Sequence, residues 1–473
     1  MALHVQLQSD LGIILDLDAT PYGVNPAGGS LGTVDLGAQY TNVWQRGYRP
    51  LVSQNYGNRE VTLSIQLRGT SHDDLHTNYR LMAQVIAEAA SYHVSGGQQG
   101  AAAHLCVQLP GATNTTTYDL IGGQVPEMPL FQHSTQSLTS PYVVSLSVVL
   151  WLKPWGATQA LTRASKVVAV WGGGTSTVVP NTQVLSITPS SNMTREAPIR
   201  LTLQQTLGGS VITNLPTIIA RRSKGNVTNW TPHLQAEIGT ASNYTVTSGA
   251  ITSCTISNVA NASAQGGTLL VVTNNAMTAA TTSGVAATWT LNKHVGDMSG
   301  RHRAYLNVEK LGAAHSPNLT YGGASGDTIT LTTMEVGAGH NYMGIIEIPD
   351  DVLNNAFKIQ LHVKIAAGVS NTARYDSLTL VPIDEQYFSG SGPDGGWTSK
   401  QLIIDGLSIM PQVTLLDSSG DMAVAPMVIT GQPPFGFSLP PRPTRFIALT
   451  GASNSTQEFT LTADYPSYTD WLL

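Results

Sequence analysis

Residues 59–91, REVTLSIQLRGTSHDDLHTNYRLMAQVIAEAAS, contain a strand pattern followed at once by a helix pattern. Apolar and polar side chains alternate over residues 61–67, which is the period-two signature of a strand with one buried face. Residues 69–70 end that alternation. Ser71 is then a favourable N-cap, and Asp74 occupies the position of a capping-box acid three residues later. The stretch therefore predicts a β-strand that passes directly into an α-helix.

The helix predicted from about residue 72 to residue 92 has an apolar stripe. Asp73 places negative charge at the positive end of this helix. The apolar residues recur at steps of three and four, which puts them on one helical face; they are Leu75, Met82, Val85, Ile86 and Ala89. Such a stripe has to pack on a sheet. The N-terminal part of the chain is therefore predicted to be a β-domain with one helix.

The composition indicates a mainly β protein. Charged residues make up 11% of the 473 residues, less than half of the usual share of about 25%. The formal net charge of −6 is spread along the chain without a basic block, which argues against binding to nucleic acid or anionic lipid. Apolar runs such as residues 142–152 are shorter than the roughly 20 residues of a membrane span, and no secretory signal is visible. We expect a soluble protein made in a cytoplasm.

Cys106 and Cys254 are the only two cysteines and lie far apart in the sequence. A disulfide framework is therefore excluded, and two buried free thiols are predicted.

Strand and turn patterns divide the chain into three predicted domains. The β-domain with the helix covers residues 1–165. Residues 225–395 show about eight short strands at regular spacing, which predicts a β-sandwich of jelly-roll type, similar to a carbohydrate-binding module. The strands predicted in residues 166–224 and 396–473 have similar residue patterns. We expect these two segments to combine into a second, discontinuous β-domain in which the sandwich is inserted.

His72 and His76 stand at i and i+4, as the two histidines do in the HExxH motif of zinc proteases. Asp73 would then be the general base, although it is one methylene shorter than the usual glutamate. The same residues lie in the first turn of the predicted helix, where capping explains the serine and the aspartates. Capping is the favoured interpretation, and no catalytic, cofactor-binding or metal-binding residue is predicted.

The predicted sandwich contains charged residues that could bind an ion or act in catalysis. Residues 301–303, RHR, could face an anion, although a solvated turn is favoured. Asp350 or Asp376 could bind Ca²⁺. A glycosidase pair would have to come from Glu335, Glu347, Asp350, Asp351, Asp376 and Asp384. No motif marks any of these carboxylates, and Walker, dinucleotide-binding, GxSxG and CxxC motifs are absent, so an enzyme is not predicted.

Aromatic side chains could stack on sugars if they are exposed on the sandwich. The predicted glycan contacts are Trp230, Trp289 and Tyr342. Trp155, Trp171 and Trp397 are further candidates, and core packing is favoured for most of these residues.

The N-terminal region resembles the distal tail proteins and related minor tail proteins of long-tailed, siphovirus-type bacteriophages. The strand REVTLSIQLRG, the helix TSHDDLHTNYRLMAQVIAEA and the strand YVVSLSVVLWLKP carry this resemblance. It covers residues 1–165, and the remainder of the chain in outline. It implies a homohexameric ring in the virion tail tip, between the tail tube protein and the tip or hub proteins. It also implies an outward sandwich that contacts host surface glycans. Apart from the resemblance, a strand edge left beside the helix can be covered by a neighbouring subunit.

Two alternatives stay open beside the ring protein. One is a glycan-binding adhesion protein in which residues 225–395 do the essential work. The other is a polysaccharide hydrolase that uses sandwich carboxylates. The sequence also leaves six-fold and three-fold symmetry open, because a residue pattern constrains faces and not symmetry operators.

Overall fold

The computed structural model describes most of residues 4–469. The parts outside the described residues are 1–3, 26–33, 41–50, 109, 114, 128–141, 155, 158–160, 170–183, 192, 194–195, 208–216, 229, 242, 262–263, 265–266, 275–281, 292–294, 313–314, 323–327, 332–335, 338, 351–356, 369, 391–399, 408–411, 418, 420–436, 450–457 and 470–473.

The chain forms two compact units. The first unit comprises residues 1–162, 190–197 and 466–473, and the second comprises residues 163–189 and 198–465. Up to residue 157 the elements are β1 (His4–Ser9), β2 (Ile14–Asp16), β3 (Tyr22–Val24), β4 (Val34–Tyr40), β5 (Leu51–Gly69), α1 (His72–Val94), β6 (Ala103–Gln108), β7 (Thr116–Gln124), β8 (Tyr142–Leu152) and β9 (Gly156–Ala157).

The later elements are almost all strands. They are β10 (Thr162–Ala169), β11 (Val184–Ile187), β12 (Ala197–Leu207), β13 (Thr217–Arg222), β14 (His233–Gln235), β15 (Gly239–Thr240), β16 (Tyr244–Ser248), β17 (Cys254–Ala260), β18 (Thr268–Asn274), β19 (Thr282–Leu291), a 3₁₀ turn (Val295–Met298), β20 (Gly300–Lys310), β21 (His315–Gly322), β22 (Thr328–Leu331), β23 (Gly339–Ile348), β24 (Lys358–Ile365), β25 (Thr372–Pro382), β26 (Tyr387–Gly390), β27 (Gln401–Asp405), β28 (Gln412–Leu416), β29 (Phe437–Leu439), β30 (Thr444–Leu449), β31 (Glu458–Tyr465) and β32 (Tyr468–Thr469). The predicted mainly β class is confirmed.

The first unit is built on one antiparallel sheet. Its strands follow the order β2, β1, β6, β7, β8, β5, β3, while β4 pairs with β5, and β9 pairs with β7 and β32. β5 and β8 pair without a shift from Arg59 opposite Leu152 to Gly69 opposite Tyr142. On its other side β5 pairs with β3 and β4. Among the described residues, β5 has strand partners on both sides only at Arg59 and at residues 65–67, so the expected strand edge beside the helix stays a prediction.

α1 packs on one face of this sheet, mainly over β7 and β5. Ser71 is its N-cap, and the Ser71 hydroxyl accepts a hydrogen bond from the Asp74 backbone N–H at 3.1 Å. The Asp74 carboxylate in turn accepts the Thr70 backbone N–H at 2.7 Å. The predicted stripe and the apolar positions of β5 are all at most 3% exposed: Leu75, Met82, Val85, Ile86, Ala89, Val61, Leu63, Ile65 and Leu67. The predicted strand and helix are confirmed.

Two adjacent glycines in β7 allow α1 to approach the sheet closely. A Cβ atom on Gly123 would lie 2.4 Å from the Val149 carbonyl oxygen and 3.2 Å from Cγ2 of Ile86. A Cβ atom on Gly122 would lie 3.3 Å from Cβ of Ala90. Any larger side chain here would push the helix away from the sheet.

Two sheets of the second unit join segments that are far apart in the sequence. One has the order β10, β31, β12, β27, β28, with β29 on β12, and the other has the order β11, β30, β13, β26. The first part of the unit thus pairs with the last part. The predicted bounds of the discontinuous domain stay a prediction, and β26, which the sequence places in the insert, pairs here with β13.

The other two sheets of the second unit form a β-sandwich between His233 and Pro382. Their orders are β17, β18, β25, β20, β23, with β14 on β25, and β15, β16, β19, β24, β21, β22. The apolar side chains between them form one cluster that also takes in Ile218 and Ala220 of β13 and Ile447 of β30. The sandwich and the sheet of β13 and β30 therefore share a hydrophobic core.

Both cysteines are free thiols. Cys106 is buried but Cys254 is only half-buried, so the expectation of two buried thiols is wrong for Cys254. Within the described part of the chain, no helix combines the length and the apolar character that a membrane crossing needs.

Candidate functional site

The face of the first sheet opposite α1 carries small uncharged side chains at its centre. The side chains that point there alternate along β5 and β8 with buried residues that share the core with α1. They are exposed or half-buried, and we call them the open face: Thr62, Ser64, Gln66, Ser145, Ser147 and Val149. Ser64 lies opposite Ser147, and Gln66 lies opposite Ser145. These six side chains carry no formal charge, whereas Glu60 and Arg68 stand at the two ends of the same face on β5.

A charged cluster lies on β6 and β7 of the same sheet. Nδ1 of His104 is 3.1 Å from Oδ1 of Asp119, and Nζ of Lys153 donates to Oδ2 of Asp119 at 2.6 Å. The hydrogen bond with Asp119 raises the pKa of His104. Burial acts to raise the pKa of Asp119, but the hydrogen bonds and charges of His104 and Lys153 outweigh it and lower that pKa. The cluster therefore favours a protonated His104 beside an ionised Asp119.

We expect His104→Gln to reduce folding stability mainly at low pH. Because the pKa of His104 is raised on folding, its contribution is fully present below the unfolded value of about 6.5 and is lost as pH rises through the folded value. The difference in the free energy of unfolding between wild type and His104→Gln should therefore shrink from about pH 5.5 to about pH 8.5. Denaturant titrations at both pH values measure it, with His76→Gln, on an exposed part of α1, as the control. A difference that grows with pH would contradict this prediction.

Tyr342 in β23 is half exposed and belongs to a cluster of tyrosines around an arginine. Its ring centroid lies 5.5 Å from that of Tyr305 in β20. The guanidinium of Arg303 lies 5.8 Å from the Tyr342 ring centroid and 5.5 Å from that of Tyr387. Nη1 of Arg303 donates to Oγ of Ser389 at 3.5 Å, and no carboxylate of the described residues lies within ion-pair distance of it. We call these residues the tyrosine–arginine cluster.

Trp230 and Trp289 lie in the core of the second unit. Their exposed fractions are 1% and 0%, and Nε1 of Trp289 donates to the Gln235 carbonyl oxygen at 2.7 Å. Because sugar stacking needs an accessible ring face, the glycan contact predicted at these two residues is wrong. Glycan contact at Tyr342 stays a prediction. Trp155, Trp171 and Trp397 lie outside the described residues.

His72 and His76 occupy the start of α1. Their ring centroids are 5.6 Å apart, and the His72 ring meets the Tyr142 ring edge-on at 5.4 Å. In the part of the chain that the structure describes, no third histidine, cysteine or carboxylate joins the pair at a distance suited to a shared metal ion. The cap formed by Ser71 and Asp74 accounts for the polar residues of this turn.

The carboxylates considered for catalysis differ in their burial. Asp376 is buried and accepts a hydrogen bond from Nδ2 of Asn307 at 2.7 Å. Glu347 and Asp350 are exposed. Glu335 and Asp351 lie outside the described residues.

Arg222 is fully buried where the chain enters the sandwich. Its Nη1 lies 3.9 Å from Oδ1 of Asp384, and its Nη2 donates to the Asp297 carbonyl oxygen at 2.9 Å. The next residue, Ser223, donates its backbone N–H to the Glu385 carboxylate at 2.9 Å and 3.0 Å. These contacts tie the segment that enters the sandwich to the segment that leaves it.

The interpretation of residues 301–303 as a solvated turn is wrong. These residues lie inside β20, which begins at Gly300, and His302 is buried while Arg303 is half-buried. Alternation along the strand puts Arg303 and Tyr305 on one face, so a predicted strand that includes residue 303 would have paired them. Tyr387 joins the cluster from another sheet, and no local pattern predicts that contact.

No protein-family model matches the sequence, and no curated protein matches it. Similar solved structures include the Dit protein of phage SPP1, which is described as a paradigm of the hub adsorption apparatus in phages that infect Gram-positive bacteria. That similarity has a TM-score of 0.31 at 7% identity, over 97% of this chain and 98% of that chain.

Two further structures are more distant. A chain of the phage p2 baseplate, in its activated conformation with Sr, gives a TM-score of 0.26 at 8% identity, over 78% of this chain and 99% of that chain. A chain of infectious bursal disease virus, Gx strain, gives a TM-score of 0.16 at 11% identity, over 67% of this chain and 81% of that chain. Similarity at these TM-scores establishes neither a shared fold nor a function.

Proposed function

We propose that this chain is a structural protein of the tail tip of a long-tailed bacteriophage. Its N-terminal unit forms a homohexameric ring that joins the tail tube protein to the tip or hub proteins. The protein is made in the host cytoplasm and becomes part of the virion, and it has no catalytic activity. The resemblance of residues 59–91 and 142–154 to distal tail proteins supports this proposal.

The observation that carries the ring is the uncharged centre of the open face. Charged residues are depleted at the centre of protein interfaces, because burying an unpaired charge costs several kcal/mol. The Ser64, Ser145 and Ser147 hydroxyls lose less when water is removed, and each can still hydrogen-bond to a neighbour. We therefore assign a second copy of this chain as the partner of the open face, since closed symmetry lets every copy cover the same surface.

A single lysine on the open face tests the ring. By light scattering over a concentration series, the wild-type protein is expected to have about six times the 50.0 kDa mass of one chain. Ser147→Lys places a charge at the centre of the interface and is expected to shift the mass towards that of the monomer. Ser91→Lys, the same change at an exposed position of α1, is the matched control and should keep the wild-type mass.

Other masses have definite meanings. A mass of three chains would indicate a ring with three-fold symmetry in place of six-fold symmetry. A monomer at every concentration, or an oligomer that Ser147→Lys leaves intact, would contradict an interface on the open face.

A second candidate function is glycan-binding adhesion, and the tyrosine–arginine cluster favours it. An exposed tyrosine beside a guanidinium offers a stacking face and hydrogen-bond donors to a sugar. We expect Tyr342→Ala to abolish retention on a panel of purified bacterial cell-surface polysaccharides. Ile329→Ala, an exposed apolar side chain on the other sandwich sheet, should not change it. If wild-type protein also shortened these polysaccharides, the hydrolase alternative would replace both proposals.

A further inference from the structure

Three potential metal ligands converge at the edge of the first sheet. His4 lies on β1, Asp16 ends β2, and Asp18 follows two residues later. Nδ1 of His4 is 2.9 Å from Oδ2 of Asp18 and 3.8 Å from Oδ1 of Asp16. One ligand atom from each residue lies within 4.8 Å of the other two. All three side chains remain reachable from solvent.

Strand pairing holds these ligands in place. Gln6 of β1 lies opposite Asp16 of β2, so His4 and Asp18 stand at the next position on the same face. The Leu17 backbone N–H donates to the Val5 carbonyl oxygen at 2.8 Å, and the Val5 N–H donates to Oδ1 of Asp18 at 3.4 Å. Ligands on paired strands need little rearrangement to bind an ion.

In the part of the chain that the structure describes, His4 is the one group beside the two carboxylates that can carry a positive charge. Among the described residues, no lysine or arginine lies within ion-pair distance of Asp16 or Asp18. Oδ1 of Asp16 is buried and has no hydrogen-bond partner, which is costly for a charged oxygen. A divalent cation would satisfy the buried Asp16 oxygen.

We propose that His4, Asp16 and Asp18 bind one Zn²⁺ ion. An imidazole with two carboxylates suits a first-row transition metal better than an alkaline-earth ion. Zinc bonds of about 2.0–2.2 Å separate tetrahedral ligand atoms by about 3.4 Å, and the separations of 2.9 Å and 3.8 Å lie on either side of that value. The ion ties β1 to the segment after β2 and leaves one coordination position open to solvent.

Calorimetric titration of the full-length protein with zinc chloride tests this site. We expect one saturable equivalent, and a melting temperature that rises with zinc because only the folded state presents the three ligands. His4→Ala and Asp16→Asn are each expected to weaken zinc binding about tenfold or more, with unchanged circular dichroism. His76→Ala, which removes a histidine of the HDDLH stretch, is the matched control and should bind as wild type does.

Absence of saturable binding, or binding that survives both His4→Ala and Asp16→Asn, would overturn the proposal. Binding lost in His76→Ala but kept in His4→Ala would also overturn it, because the metal would then belong to α1. The zinc site does not depend on the ring. Light scattering on the same samples without zinc gives their mass and therefore tests the ring separately.

Discussion

Arg222→Met is expected to lower the free energy of unfolding of the second unit by about 1.5–3 kcal/mol, because the Asp297 carbonyl oxygen loses a charged donor and Asp384 keeps only the exposed Lys224 as its cation. Arg222 has no exposed surface. Burial lowers the pKa of its guanidinium, while the negative charges of Glu385 and Asp384 act to raise it. Methionine replaces much of the apolar volume of the side chain, so the loss mainly reports the missing charge and its hydrogen bond to the Asp297 carbonyl oxygen.

Lys224→Met is the control for this prediction. Nζ of Lys224 lies 3.1 Å from Oδ2 of Asp384, the same carboxylate, but the Lys224 side chain is half exposed. Exposed ion pairs contribute up to about 1 kcal/mol. Denaturant unfolding followed by tryptophan fluorescence compares the two variants. Equal losses would show that burial of Arg222 has no special effect and would contradict the prediction.

Trp289→Ala is expected to cost about 3–5 kcal/mol of stability, as large-to-small changes of buried aromatic residues do. The ring has no exposed surface, and it lies in β19 within the core between the two sandwich sheets. The substitution also leaves the Gln235 carbonyl oxygen without its 2.7 Å donor.

Two further variants provide comparisons for the stability loss of Trp289→Ala. Trp289→Phe keeps most of the apolar volume and loses the hydrogen bond, so an intermediate loss is expected. Thr290→Ala changes the next residue, which is half-buried on the opposite face of β19, and should cost at most about 1 kcal/mol. The same denaturant titrations measure all three. A Trp289→Ala loss no larger than that of Thr290→Ala would contradict a core role for the tryptophan.

The first unit could be predicted from the sequence where its signals are local. The alternation of residues 61–67, the cap at Ser71 and the stripe of α1 each depend on neighbours within a few residues, and all three are confirmed. The pairing of β5 could not be predicted in the same way. Its partner β8 lies beyond α1, β6 and β7 in the chain, and alternation shows that a strand has two faces without showing what covers either edge.

Some strands of the sandwich do not show the alternating pattern from which strands are predicted. β25 is buried at nearly every position because strands and the neighbouring sheet enclose it, so its residues do not alternate. β21 contains Pro317 within the strand, and proline argues against a strand when the sequence is taken alone. The sequence alone could not show that Trp230 and Trp289 are buried while Tyr342 is exposed, because an aromatic residue fits either a core or a surface.

The placement of β12 between β27 and β31 has a consequence for the timing of synthesis. After Leu207 leaves the ribosome, roughly 260 residues must follow before Tyr465 is made, which takes about 13–50 s at ordinary elongation rates. During that interval every strand from β15 to β25 is translated and finds its partners within the same segment. The apolar row of β12, which is Ile199, Leu201 and Leu203, has neither neighbour until β27 is made, and it lacks β31 until the end of the interval. The nascent chain is therefore most open to misassociation through β12, and slower growth at low temperature, with chaperones in excess, should raise the yield of soluble protein.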